Sequence, residues 1–306
     1  MNLKSRHLLG LEGMPREDIT LILDTARSFR EILDRPIKKV PPLQGKTVAN
    51  LFFESSTRTR ISFELAERRL SADVVSFSNV GSSVSKGETL KDTARNIEAM
   101  KIDTVVLRHS SAGAAEFLSR VVKSSVINAG DGAHEHPTQA LLDMFTLREK
   151  HGTLDGIHVG IVGDISHSRV ARSNIHGLKV MGAKVSVCGP ATLIPRDVEQ
   201  MGVMVYHRLE DLVPVVDALN VLRVQLERQK SGLFPSLREY HRYFGVTREK
   251  LASAKKPITI MHPGPINRDV ELSADLADSE YSVILEQVTN GVAIRMAVLY
   301  LLSTSH

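Results

Sequence analysis

TVANLFFESSTRTRISFELAERRLSADVVSF, residues 47–77, sets the fold class. Residues 47–53 form an apolar run short enough for a buried strand, 60–70 have helical spacing, and 73–77 are again a short run rich in β-branched and aromatic side chains. Strand, helix and strand in close succession are the pattern of a mostly parallel sheet covered by helices. The alternation extends in both directions. Upstream, Ile19, Ile22, Leu23, Ala26, Phe29 and Leu33 share one helical face, Pro15 suits a first helical position, and Pro36, Pro41 and Pro42 stop the helix. Downstream, helices are expected at 89–100, 114–122 and 137–150, and strands at 103–107 and 126–128. A second set of strands follows at 157–162, 184–187, 203–206, 218–222 and 258–261, with helices between most of them, while 227–245 reads as one long irregular stretch.

A chain of 306 residues exceeds one ordinary core and matches two domains of roughly 150 residues. The expected architecture is α/β in two domains, each a mostly parallel sheet flanked by helices. Residues 1–149 form the first, 150–285 the second, and 286–306 a C-terminal helix that packs back on the first domain through Val288, Val292, Met296 and Leu299. With 39 basic against 35 acidic residues and no basic block or tail, nucleic acid is not an expected partner, and any preference for anions must be local. No run approaches the ~18 unbroken apolar residues of a membrane span. The N-terminal residues lack the apolar core of a signal peptide, and the single cysteine, Cys188, excludes an internal disulfide, so a cytoplasmic location is expected. Cys188 itself reads as a core residue.

The chemistry concentrates at strand ends. Glu54-Ser55-Ser56-Thr57-Arg58-Thr59-Arg60 lies between a strand and a helix, where unpaired backbone N–H groups, short hydroxyls and arginines together make an oxyanion cradle suited to phosphate. A helix cap with a solvated arginine is the alternative for the same residues. The loop 81–89, which carries Ser82 and Lys86, lacks the Gly-Lys-Ser/Thr order of a Walker A loop and by itself reads as a solvated segment. Arg108 ends one strand, and Arg169 and Arg223 follow two others, where ligands of open α/β sheets bind. His136-Pro137 opens a helix, so a neutral imidazole there either donates to a carbonyl oxygen or caps the helix. Residues 159–164 lack the glycine spacing of a dinucleotide-binding turn, which argues against a nicotinamide enzyme.

From about Gly10 onward the chain resembles the aspartate carbamoyltransferase family. The resemblance rests on Ser-Thr-Arg-Thr-Arg at 56–60, His-Pro-Thr-Gln at 136–139, Arg-Val-Gln-x-Glu-Arg at 223–228 and His-Pro-Gly-Pro at 262–265, in the family's order and approximate spacing. It implies transfer of the carbamoyl group of carbamoyl phosphate to the amino group of L-aspartate, an early step of pyrimidine biosynthesis, with no cofactor and no metal. By the same resemblance Ser56, Thr57, Arg58 and Thr59 hold the phosphate, and Arg108 touches phosphate and carbamoyl oxygen. Thr59 and His136 polarise the carbonyl, while Gln139 and the backbone at Pro263 and Gly264 orient the carbamoyl NH2. Arg169, Arg223, Gln225 and Lys86 bind aspartate, and Ser82 and Lys86 enter from a neighbouring subunit, which implies a homotrimer or larger assembly with shared active sites.

A regulatory chain or a dihydroorotase is compatible with the resemblance as a further partner. The concentration of cations implies a cleft that closes on anions, with the loops 78–88 and 227–245 moving. An ornithine enzyme is the nearest alternative. It is disfavoured because His262-Pro263-Gly264-Pro265 stands where ornithine enzymes carry His-Cys-Leu-Pro, and because no Ser-Met-Gly loop is present. A non-catalytic anion-binding homologue is the alternative from another class, opposed by the intact Arg58, His136, Arg169 and Arg223.

Overall fold

A computed structural model describes residues 3–78, 89–224 and 236–304. The first helix, α1 (Arg16–Leu33), buries the apolar face expected of it, including Ile19, Ile22, Leu23, Ala26, Phe29 and Leu33. Pro15 sits one position earlier than expected, as the extended residue that caps the helix, and Glu17 and Asp18 in the first turn complement the helix dipole. There follow β1 (Thr47–Phe52), α2 (Thr57–Arg69), β2 (Asp73–Ser78), α3 (Leu90–Ala99), β3 (Thr104–His109), α4 (Ala114–Ser119), β4 (Ser125–Asp131) and α5 (Pro137–His151). The second series is β5 (His158–Val162), α6 (Arg169–Val180), β6 (Lys184–Cys188), β7 (Met204–Tyr206), α7 (Leu209–Leu212), β8 (Ala218–Val221), α8 (Leu237–Phe244), α9 (Arg248–Leu251), β9 (Thr259–Met261), α10 (Ala274–Ala277) and α11 (Ile284–Thr304).

The chain divides into two compact units, residues 1–145 with 289–306, and residues 146–288. In the first, four strands pair in the order β2-β1-β3-β4, all parallel. Ala49, Leu51, Ile97, Val105, Leu107, Leu118 and Val126 fill part of its core. The C-terminal helix from Thr289 onward belongs to this unit: Tyr300 meets Phe29 of α1 edge-on at 5.7 Å, and Arg295 lies 5.1 Å over the ring of Phe63 in α2. In the second unit five strands pair in the order β7-β6-β5-β8-β9, again all parallel, over a core that includes Val162, Cys188, Leu219, Val221 and Ile260.

Both orders reverse at an inner strand pair. In the first sheet the chain moves outward from β1 to β2, then returns to β3 on the other side; in the second it runs from β5 out to β7 and returns to β8. Each reversal opens a crevice beyond the carboxyl ends of two neighbouring strands, β1 with β3 and β5 with β8, where open α/β sheets take their ligands.

A further expectation about local structure also changes. The stretch 227–245 contains the helix α8, with Tyr240 buried and the Ser236 hydroxyl accepting from the Glu239 N–H. That Ser-x-x-Glu order is a helix-start signal visible in the sequence.

Candidate active site

The first crevice is built from the loop after β1 and the end of β3. The register sets Phe52 opposite Arg108, and the Phe53 N–H donates to the Arg108 carbonyl at 2.9 Å, so the loop opening at Glu54 starts beside the Arg108 side chain. The buried Arg108 guanidinium donates through Nη1 to the Ala129 carbonyl at 3.1 Å and through Nη2 to Glu54 Oε1 at 2.9 Å. Across this loop α2 begins. Ser56 flanks its N-terminus in extended geometry without a side-chain capping bond, whereas Thr89, Ser168, Ser236 and Thr247 all cap their helices through their hydroxyls. Thr57 and Arg58 are exposed and Ser56 and Thr59 half-buried. The first turn of α2 therefore presents N–H groups, hydroxyls and a cation toward solvent, the arrangement that binds an oxyanion.

His136 and Gln139 approach through α5. Asp131 at the end of β4 shapes the preceding loop: its carboxylate accepts from the N–H of Gly113 at 2.7 Å, the N–H of Glu135 at 3.2 Å and Asn128 Nδ2 at 2.8 Å. His136 is 5% exposed and its carbonyl accepts from the N–H groups of Gln139 and Ala140, which places the imidazole at the N-terminus of α5. Buried Gln139 donates through Nε2 to Asp143 Oδ1 at 2.9 Å.

A further charged residue, Arg295 on α11, is buried in the same unit. Burial pulls its pKa down to about 10, with the Asp143 carboxylate acting against that shift and Arg108 adding to it. It donates to the Ser62 hydroxyl at 3.0 Å and the Gly291 carbonyl at 2.8 Å. The C-terminal helix thus ties α2 into the floor of the first unit. A charged residue inside the apolar helical run 292–302 was the signal available for this.

In the second unit β5 is followed by Gly163, whose φ of +127° suits glycine, and a Cβ on Gly189 would clash with the Gly163 carbonyl oxygen. The Asp164 carboxylate accepts from the His167 N–H at 3.1 Å and faces His167 Nδ1 at 2.9 Å, and Ser168 caps α6 by accepting from the Ala171 N–H. Arg169 is consequently the first residue of α6 and is 5% exposed. Arg223 follows β8 and is half-buried, and Pro263 and Gly264, also half-buried, follow β9. Ser56, Thr57, Arg58, Thr59, Arg108, His136 and Gln139 thus belong to the first unit, and Arg169, Arg223, Pro263 and Gly264 to the second. Ser82, Lys86 and Gln225, with most of the two loops expected to move, lie outside the described residues. Among the described residues of each unit taken alone, no three His, Cys, Asp or Glu ligand atoms gather closely enough to hold a metal.

Fold and site together define a two-unit α/β protein with cationic groups at the switch point of each sheet. The chain belongs to the aspartate/ornithine carbamoyltransferase family: residues 6–149 match its carbamoyl-P binding domain and residues 155–302 its Asp/Orn binding domain. It is 62% identical over 298 residues to the aspartate carbamoyltransferase catalytic subunit of Gemmatimonas aurantiaca, covering 97% of this chain and 93% of that protein. It is 58% identical over 303 residues to the corresponding subunit of Halothermothrix orenii, covering 99% and 97%. Among solved structures it is similar to aspartate transcarbamoylase from Trypanosoma cruzi in complex with N-(phosphonacetyl)-L-aspartic acid, with 32% identity, a TM-score of 0.87 and coverage of 97% and 96%. The same protein has been solved with carbamoyl phosphate. The catalytic subunit of M. jannaschii aspartate transcarbamoylase is 36% identical, with a TM-score of 0.84 and 97% of each chain covered.

Proposed function

We propose that the protein is an aspartate carbamoyltransferase that transfers the carbamoyl group of carbamoyl phosphate to the amino group of L-aspartate, giving N-carbamoyl-L-aspartate and phosphate. The observation that carries this reading is the uncapped first turn of α2, with Ser56, Thr57, Arg58 and Thr59, at the same switch point as the Arg108 guanidinium. The names of the relatives set the acceptor as aspartate.

In this reading residues 1–149 bind carbamoyl phosphate and residues 150–285 bind aspartate. The cradle and Arg108 hold the phosphate, and Thr59, Arg108 and His136 donate to the carbamoyl oxygen. Gln139 and the Pro263 carbonyl, with the Gly264 backbone, fix the carbamoyl NH2. Arg169, Arg223 and Gln225 take the two carboxylates of aspartate. The unprotonated amine attacks the carbonyl carbon, negative charge develops on its oxygen, and the C–O bond to phosphate breaks as the amine proton passes to the departing phosphate. Donors fixed in advance toward that oxygen lower the barrier, and binding both substrates removes the entropy of bringing them together.

Ser82 and Lys86 complete the site from a neighbouring copy, so the working form is a homotrimer or larger. Exposed Ile61 and Leu65 on α2 and Val75 on the edge strand β2 offer apolar surface suited to such an interface. No helix among the described residues is long and apolar enough to cross a membrane, in keeping with a cytoplasmic enzyme.

The test supplies purified protein with labelled carbamoyl phosphate and either aspartate or ornithine. Labelled carbamoyl-aspartate, lost in Arg58→Ala, is the expected result; labelled citrulline would move the chain to the ornithine branch of the family.

A further inference from the structure

The turn that carries Pro263 and Gly264 is set by a buried pair with no assigned role. His262 and Glu271 both have side chains that are 0% exposed. His262 Nδ1 accepts the Gly264 N–H at 2.8 Å, so that nitrogen bears no proton. The ring proton is thereby placed on Nε2, which donates to Glu271 Oε1 at 3.2 Å. The same Glu271 oxygen accepts the Asn267 N–H at 2.6 Å, and Asn267 Nδ2 donates to the carbonyl of Val224, the neighbour of Arg223, at 3.2 Å. His262 is anchored in turn by its own N–H, which donates to Gln287 Oε1 at 3.0 Å. One carboxylate therefore fixes the backbone after β9 and, through one asparagine, the backbone after β8.

We propose that Glu271 and His262 are positioning residues for carbamoyl transfer, holding the Pro263–Gly264 turn and the Arg223–Val224 strand end in mutual register. The proposal rests on the reading above, in which the Pro263 carbonyl orients the carbamoyl NH2 and Arg223 binds aspartate. A fixed imidazole tautomer is required. An acceptor at Nδ1 and a donor at Nε2 are both in use, and a carboxylate selects this arrangement as a carboxylate hydrogen-bonded to a metal-bound histidine fixes that ring's tautomer.

Three variants separate positioning from simple support of the fold. In His262→Asn, Oδ1 takes the place of Nδ1 and continues to accept from Gly264. In His262→Gln, the longer side chain reaches the Nε2 position and leaves the Gly264 N–H bare. Glu271→Ala removes the organiser. Each is assayed well below its own melting midpoint and scaled to folded enzyme, alongside hydrogen exchange of the 262–268 backbone.

The expected result is a fall in kcat on the order of 10- to 100-fold in H262Q and E271A, with H262N largely rescued, because small misplacements of substrate-orienting groups have costs of this size. Exchange at Gly264 should quicken in H262Q and E271A and not in H262N. The inhibition constant of inorganic phosphate should stay unchanged, since the cradle belongs to the other unit. Equal kcat in E271A and the parent protein, or equal impairment of H262N and H262Q, would overturn the proposal; the histidine pair decides if E271A fails to fold. Absence of carbamoyl-aspartate from the parent protein would refute the proposed reaction, and exchange at Gly264 would then decide the coupling alone.

Discussion

Replacing Glu67 with glutamine should make the protein more stable near neutral pH and flatten its pH dependence. Glu67 on α2 and Asn50 on β1 are both fully buried, and Asn50 Nδ2 donates to Glu67 Oε2 at 2.8 Å. The remaining oxygens, Asn50 Oδ1 and Glu67 Oε1, are buried and accept no hydrogen bond. A proton on Glu67 removes the buried charge and supplies the donor this pair lacks. Burial accordingly pushes the Glu67 carboxyl from an ordinary 4.5 up to about 8, with the Asn50 hydrogen bond acting in the opposite direction, Glu64 adding to the rise and Arg68 opposing it. An acid whose pKa is raised in the folded state binds its proton more tightly there than in the unfolded chain. Stability is then fully retained below about pH 4.5 and falls as pH climbs toward 8. The slope is about 1.4 kcal/mol per pH unit, which amounts to about 3 kcal/mol lost by pH 7. In Glu67→Gln the amide still accepts from Asn50 Nδ2 and has its own N–H to donate, with nothing to ionise. Urea unfolding of both proteins at half-unit steps from pH 5 to 8 gives the difference directly. It should grow in favour of E67Q by roughly 1 kcal/mol per pH unit. A difference that is flat with pH would show that Glu67 is ionised in the fold and would refute the reasoning.

Glu54→Gln should tighten binding of inorganic phosphate about 3- to 10-fold in calorimetric titration, because the Glu54 carboxylate now holds Arg108 Nη2 at 2.9 Å and competes with an incoming oxyanion. Weaker binding would mean that Glu54 instead serves to aim the guanidinium. Cys188 is fully buried and its thiol is pushed up to about 12 by burial, so the native protein should resist a maleimide at pH 7 and label stoichiometrically in urea; rapid labelling of native protein would contradict this.

Strand and helix identity was legible because each buried strand is a short apolar run and each long helix a periodic one. The boundaries were less so. α2 starts at Thr57, three residues before the apolar periodicity begins, because its first turn faces solvent and carries no core residue. α8 was hidden for a related reason: it is only eight residues long and Tyr240 is its one buried side chain, although Leu237, Tyr240 and Phe244 fall at helical spacing after the Ser236–Glu239 start signal. Site residues that act by position at strand ends, such as Arg108 and Arg169, could be named from the sequence. Those that act through a distant partner could not. Glu271 resembles any charge in a loop until the fold brings it to His262, and Arg295 becomes part of the site floor only when α11 returns to α2.

The ambiguity between cap and cradle at 56–59 illustrates how the fold decides what a motif does. Hydroxyl residues at a helix start cap the helix by default, and four other helices of this chain follow that default. Ser56 does not, nor does Ser273 before the short α10, and of these two α2 is the helix that starts at the switch point of the first sheet, beside the end of β3. A first turn without this cap lacks the bond a hydroxyl would give its N–H groups, a cost offset when an anion takes them. The same topology recurs in the second unit, where Ser168 does cap its helix and Arg169 comes next. There the cation, and not the bare helix terminus, is the group left for a ligand. The two units thus offer different chemistry at equivalent places, a backbone cradle for a phosphate in one and side-chain guanidinium groups for carboxylates in the other. That difference follows from whether a single hydroxyl is spent on its own helix.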